Sequence, residues 1–68
     1  MRPDQFDALA QLMRLRQSPS HDALHMVMVR GYTHTVAAQQ CGIPRQNVSR
    51  QVASAKRTIE AARILSAQ

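Results

Sequence analysis

Four polar side chains lie at helical spacing in the second half of the chain, and their types are those that contact nucleic acid. They are Arg45, Gln46, Ser49 and Arg50. An arginine guanidinium can donate two hydrogen bonds to guanine, a glutamine amide can pair with adenine, and serine can contact either a base or a phosphate. We expect these four side chains to contact base edges in the major groove of DNA.

A second group of side chains is predicted to hold the phosphate backbone around them. Residues 33–35 would begin a helix, where free amides and the helix dipole favour an anion. Lys56 and Arg57 lie about 16 Å beyond Arg45 at about 1.5 Å per residue, too far to contact the same base pairs. The predicted phosphate-binding residues are Thr33, His34, Thr35, Asn47, Lys56 and Arg57.

These side chains need two helices held at a fixed angle, and residues 36–52 have the spacing of a helix-turn-helix. Gly42 can adopt the left-handed backbone that ends one helix and starts a sharp turn. Ala38 is small where the two helices would cross. The side chains expected to face the core are Cys41, Ile43, Val48 and Val52.

Apolar periodicity predicts four helices and no strand. The first runs from an Asp4 cap to about Arg16, and the second from about His21 to Arg30, with Ser20 as its cap and Gly31 closing it. The third runs from about His34 to Cys41 after a Thr33 cap and buries Val36, Ala37 and the stem of Gln40. The fourth has Pro44 in its first turn and runs to about Leu65.

The predicted fold is therefore all-α: a compact four-helix domain that contains a helix-turn-helix and ends in a long recognition helix. All 68 residues form one domain, with the helix-turn-helix over about 33–53 and an extension over about 54–66. On the long helix, the stripe predicted to face the core consists of Val48, Val52, Ala55, Ile59 and Ala62.

Three apolar residues near the end of this helix lie away from the core stripe. They are Ala61, Ile64 and Leu65. A chain of 68 residues has a marginal core, so association would be a natural source of stability, and we expect this surface to form a homodimer. The alternative is a frayed helix end whose apolar residues are merely exposed.

Composition favours a nucleic-acid partner. The formal net charge is +5 and the pI about 11.2, although a basic chain also suits a membrane surface or an acidic protein. The start of the chain lacks the apolar segment of a signal peptide, and no apolar run is long enough to span a bilayer. We expect a cytoplasmic protein with no membrane partner.

Enzymatic and metal chemistry are not expected. The sequence has no nucleophile with an adjacent base, no paired carboxylates and no glycine-rich phosphate loop. His21 and His25 are four residues apart, but a metal site needs a third ligand, so we predict neither a metal, a cofactor nor a small-molecule substrate. Cys41 is interpreted as a small buried apolar residue.

Residues throughout the chain are similar to a known family. The chain resembles the TrfB (KorA) type of plasmid transcriptional repressor in Gln5–Phe6, in Val29–Gly31 and in a gapless run through the turn. The shared residues of that run include Ala38, Gly42, Ile43, Arg45, Val48, Ser49 and Val52. A weaker similarity to PapB-type regulators of adhesin operons lies in Ala23–His25, Gly31–Tyr32, Ala37 and Ser49.

The resemblance implies an all-helical repressor that dimerises and places the helix after Gly42 in the major groove. It also implies a bacterial protein encoded on a plasmid or phage. TrfB-type proteins carry further dimerisation residues beyond this helix that the present sequence lacks, so the resemblance leaves the dimer contact open. The predicted function is a sequence-specific repressor on a pseudo-palindromic operator. The alternatives are a protein-interaction adaptor on the same frame and a PapB-like protein that coats DNA cooperatively.

Overall fold

The computed structural model of the chain describes residues 1–67. They form four α-helices with no strand between them, as predicted. The helices are α1 (Pro3–Met13), α2 (Pro19–Met28), α3 (His34–Cys41) and α4 (Arg45–Ser66). The molecule measures 40 × 20 × 20 Å, because the 22 residues of α4 extend about 33 Å at about 1.5 Å per residue. Within residues 1–67, no helix has the length and apolar character needed to cross a membrane.

The hydrophobic core takes buried side chains from all four helices. Its largest members are Phe6, Leu24 and Val48, each with no exposed surface, and several alanines between them let the helix backbones approach closely. The buried set is Phe6, Leu9, Ala10, Ala23, Leu24, Ala37, Ala38, Val48, Val52 and Ala55. The predicted inner stripe of α4 is confirmed in Val48, Val52 and Ala55, with Ile59 half-buried against them.

Contact with Phe6 accounts for the spacing of His21 and His25, which lie four residues apart on α2. The Phe6 ring meets the imidazoles of His21 and His25 edge to face, with centroids 5.3 Å and 5.0 Å away. Aromatic pairs favour this geometry because the positive edge of one ring meets the negative face of the other. Both imidazoles therefore serve the packing of α1 on α2.

The start of α1 differs from the prediction. Arg2, not Asp4, is the capping residue, and Pro3 occupies the first helical position. The backbone N–H of Arg2 donates to Oε1 of Gln5 at 3.0 Å, and Asp4 lies inside the first turn, where the helix dipole favours a carboxylate.

The end of α1 also differs, since the helix stops at Met13 instead of about Arg16. Arg14 adopts a left-handed backbone with φ 55°, and the N–H of Leu15 donates to the carbonyl of Ala10 at 2.9 Å. This bond is typical of a helix that ends at a left-handed residue. Arginine is an uncommon residue there, so the periodicity of the sequence did not indicate the stop.

Helix α2 begins two residues earlier than predicted. Ser18, not Ser20, is its cap, because the Ser18 hydroxyl accepts from the N–H of His21 at 3.2 Å and Pro19 takes the first helical position. The helix ends at Met28 rather than Arg30, and Gly31, with φ 74°, lies in the loop that follows. Proline at a first position is common, so Pro19 marked a helix start rather than a loop.

The region from α3 to the start of α4 agrees best with the sequence. The Thr33 hydroxyl caps α3 by accepting from the N–H of Val36 at 3.1 Å, and Gly42 ends α3 with φ 66°. Pro44 is the capping residue of α4, one position before its first turn. The burial predicted for two residues of α3 was wrong. Val36 is 39% exposed and Gln40 is exposed too, because Ala37 and Ala38 form the inner face of α3.

Candidate nucleic-acid interface

The four side chains predicted to contact bases lie together at the start of α4. Arg45, Gln46, Ser49 and Arg50 line one shallow surface depression. All but the half-buried Ser49 are exposed. Their orientation follows from the opposite face of the same turns, since buried Val48 and Val52 fix the rotation of α4 against the core.

A hydrogen bond across the turn joins α3 to this depression. Nδ1 of His34 lies 3.0 Å from the hydroxyl oxygen of Ser49. The sequence predicted a phosphate contact for His34 and a base contact for Ser49, and the structure places the two side chains against each other. This bond holds the Ser49 hydroxyl in one position and leaves Nε2 as the imidazole nitrogen that points away from it.

A second hydrogen bond orients Arg50. Its Nη2 donates to Oδ1 of Asn47 at 3.1 Å, so a residue predicted to contact bases is held by one predicted to contact phosphate. The remaining donors of the planar guanidinium are available to an incoming acceptor. Holding the side chain in advance reduces the entropy lost on binding.

A polar cleft between the start of α2 and one side of α4 adds residues that the sequence analysis missed. Arg50 and Arg57 line it together with Asn47. The missed members are Ser20, Gln51 and Ser54. For the α4 side of the cleft, the sequence did contain an indication, because the polar residues at 47, 51 and 54 are spaced so that they lie on one side of a helix. Ser20 was missed because it was interpreted as a helix cap.

Lys56 takes the other side of α4 from this cleft. It is exposed and lies two helical turns beyond Ser49 on the same side of the helix, at about 100° per residue. The two cations predicted to bind phosphate beyond the depression, Lys56 and Arg57, therefore point to different sides of α4. Such a pair can contact backbone on both sides of a groove.

The charge of this surface has one sign. The first part of α4 carries Arg45, Arg50, Lys56 and Arg57, and no carboxylate occurs over residues 45–59. The ion pairs found among residues 1–67 lie elsewhere, between Arg2 and Asp4 and between Arg63 and Glu60. Four unneutralised cations along about 18 Å of helix create a positive field that attracts polyanions.

The three residues predicted for dimerisation are all exposed and all lie within α4, which continues to Ser66. Ile64 lines an apolar groove between α4 and α1 together with Leu12. Ala61 and Leu65 are not part of that groove, because they point to another side of the helix.

The titratable clusters give no metal-binding geometry. Within residues 1–67, no group of three or more histidine, cysteine, aspartate or glutamate side chains is close enough to hold an ion. Cys41 is half-buried rather than buried, with its Sγ 3.9 Å from Sδ of Met26. Its contact with a core methionine agrees with a packing role.

Comparison of the chain with family models, with curated proteins and with solved structures gave no match. The resemblance to TrfB-type and PapB-type regulators therefore stays a hypothesis from the residues quoted above.

Proposed function

We propose that this protein is a sequence-specific double-stranded DNA-binding regulator of transcription. It acts as a repressor, and the α3–turn–α4 unit serves as its helix-turn-helix. The observation that carries the proposal is the joint position of Arg45, Gln46, Ser49 and Arg50 on one exposed depression at the start of a helix whose first half has only positive charges.

In this proposal the start of α4 enters the major groove. Arg45 donates to O6 and N7 of a guanine, and Gln46 pairs with an adenine. The polar cleft with Arg57 lies against phosphates on one side of α4, and Lys56 contacts the backbone on the other side. These contacts supply most of the affinity and fix the register, whereas the base contacts supply the specificity.

The mechanism involves no chemistry on the DNA. Two copies bind a pseudo-palindromic operator whose half-sites are about one helical turn apart, so that both α4 helices face the same side of the duplex. The bound dimer then blocks RNA polymerase sterically. The TrfB-type resemblance supports this mode of action, and it also supports a cytoplasmic location.

Selection of duplexes from a random pool, followed by binding titrations, tests the proposal. We expect recovery of a two-fold symmetric sequence that binds about 10³-fold or more tightly than a scrambled duplex at the same salt concentration. The logarithm of the affinity should fall linearly with the logarithm of salt concentration on both duplexes.

Other outcomes would assign a different role to the basic surface. Weak binding with no sequence preference would contradict the proposal and favour an adaptor that meets an acidic protein. A footprint that spreads over many helical turns from one selected site would instead indicate PapB-like coating.

A further inference from the structure

An apolar groove lies between α1 and the last turns of α4, at the opposite end of α4 from Arg45. Its volume is about 690 Å³. Side chains that line it include Met1, Ala8, Leu12, Ile59 and Ile64. The groove is far from the depression at the start of α4, because Ile64 lies about 27 Å along α4 from Gln46 at about 1.5 Å per residue. It is close to Arg57, which lies two residues before Ile59.

Several exposed apolar side chains of the molecule line this groove. Leu12 is 63% exposed and Ile64 55% exposed, although both are large aliphatic side chains. Among residues 1–67, five large apolar side chains are exposed, and three of them line this groove. Exposed apolar side chains that share one groove are a candidate interaction site.

The charges at the groove are balanced, unlike those from Arg45 to Arg57. Glu60 and Arg63 both line it, and they form an exposed ion pair at 3.5 Å. At the start of α1, Arg2 and Asp4 pair at 3.4 Å. Copies of a chain with net charge +5 repel each other, so they can approach closely only where positive and negative groups alternate.

We propose that this groove binds a second copy of the chain in a two-fold symmetric pair. Leu12 and Ile64 of one copy pack on Ile64 and Leu12 of the other, and Glu60 of each copy faces Arg63 of its partner. A two-fold contact joins identical patches, so the patch must be complementary to itself. This groove meets the requirement with adjacent aliphatic side chains and one charge of each sign.

The inference rests on the proposed function in one respect, the expectation of a two-fold DNA site. The groove itself is argued from exposure and charge alone. It changes the sequence-based prediction, because Leu65 and Ala61 lie outside the contact and Leu12 of α1 enters it.

Sedimentation velocity of the full chain without DNA, over concentrations that reach about 1 mM, tests the pairing. We expect the wild-type protein to sediment at twice the 7.6 kDa of one chain. Ile64→Glu and Leu12→Glu, on different helices, should each remain monomeric. Leu65→Glu is the matched control, since it adds the same charge to the neighbouring residue of α4, and it should keep the dimer. Circular dichroism must show wild-type helicity for every variant compared.

Exchange of charges across the two-fold axis gives a second test that does not depend on folding differences. Glu60→Arg and Arg63→Glu each break the ion pair within a chain, and each should pair weakly with itself because like charges meet. Mixed in equal amounts, the two variants should form a heterodimer that native mass spectrometry resolves. Formation of homodimers only, or of no dimer, would overturn the proposed contact.

A wild-type chain that stays monomeric at every concentration would also overturn the inference. So would a dimer that Leu65→Glu disrupts and Ile64→Glu does not. Binding to anionic lipid vesicles that Ile64→Glu and Leu12→Glu abolish, without wild-type dimerisation, would assign the groove to a membrane surface instead. A monomer that still selects a DNA sequence would overturn this inference and the two-fold operator, but sequence-specific DNA binding would stand. A dimer that forms through the groove without DNA selectivity would support this inference and contradict the proposed function.

Discussion

The two ends of α4 share one helix and carry opposite surface chemistry. From Arg45 to Arg57 the charged residues are four cations with no carboxylate between them. From Glu60 to Ser66 the charges are one of each sign, and the exposed side chains include Ile64 and Leu65. The core holds both ends through one inner stripe, so the difference lies entirely on the outer surface.

This division indicates how a small basic chain can bind a polyanion and its own copy without conflict between the two. An unbroken positive surface attracts phosphates and repels a second molecule. A charge-balanced apolar surface does neither over long range, but it associates once water is excluded from it. On α4, the base-contacting Gln46 and the apolar Ile64 are about 27 Å apart along the helix axis, so base recognition and self-association use different ends of the helix.

A substitution in the hydrophobic core should have the largest effect on stability, because the core holds both ends of α4. Phe6→Ala deletes a side chain with no exposed surface and its edge contacts with two imidazoles. We expect a loss of about 3 to 5 kcal/mol in the free energy of unfolding, measured by urea denaturation.

Leu12→Ala is the control for Phe6→Ala, since it shortens an exposed side chain of the same helix. It should change the free energy of unfolding of the monomer by about 0.5 kcal/mol or less. Equal losses in the two variants would show that Phe6 does not anchor α1.

The second-largest effect is expected on DNA affinity, from a substitution at the start of α4, where we propose that base recognition takes place. Arg45→Ala should weaken binding to the selected operator by about 1 to 3 kcal/mol and relax the preference at one base pair. Binding to a scrambled duplex should change much less. Fluorescence anisotropy on both duplexes measures the difference, and Arg16→Ala, which also removes an exposed arginine, is the control. Unchanged operator preference in Arg45→Ala would contradict the assigned role.

A smaller effect separates phosphate contacts from base contacts within the same end. Arg57→Ala should weaken operator and scrambled duplex alike, and it should reduce the slope of log affinity against log salt concentration by about 0.9. Titrations at several salt concentrations measure that slope. A loss confined to the operator would instead place Arg57 at a base.

The smallest effect is expected at the end of α1, where a substitution changes neither end of α4. Arg14→Gly relieves the left-handed backbone of a residue with a side chain and should stabilise the fold by about 0.5 to 1 kcal/mol. Thermal unfolding measures this gain. Arg16→Gly, two residues away at a position without positive φ, should give no gain, and a gain of equal size there would rule out relief of strain as the cause.

The sequence was most informative where local chemistry decides the structure. Thr33 and Gly42 delimit α3 because a hydroxyl cap and a left-handed glycine act on their own neighbours. The rotation of α4 was also predictable, since Val48, Val52 and Ala55 repeat at helical spacing over several turns.

The rest depended on tertiary packing or on residues without a strong local signal. Nothing near Arg14 in the sequence marks a left-handed helix end. Ser18 and Ser20 are equally good caps by type, and Pro19 was the one residue that distinguished them. The bond between His34 and Ser49 joins residues 15 positions apart and appears only once the helices are placed. The groove needed Leu12 and Ile64 to line the same cleft, which no pattern within either helix predicts.

Helix α4 has neither glycine nor proline between Arg45 and Ser66, so no hinge separates its two ends. If the pair forms as proposed, the distance and the rotation between the two recognition surfaces are fixed by a rigid rod on each side. One base pair inserted between half-sites moves the second site by about 3.4 Å and turns it by about 34°. Operators of this protein should therefore tolerate substitutions at single positions far better than any change in the length of the central spacer.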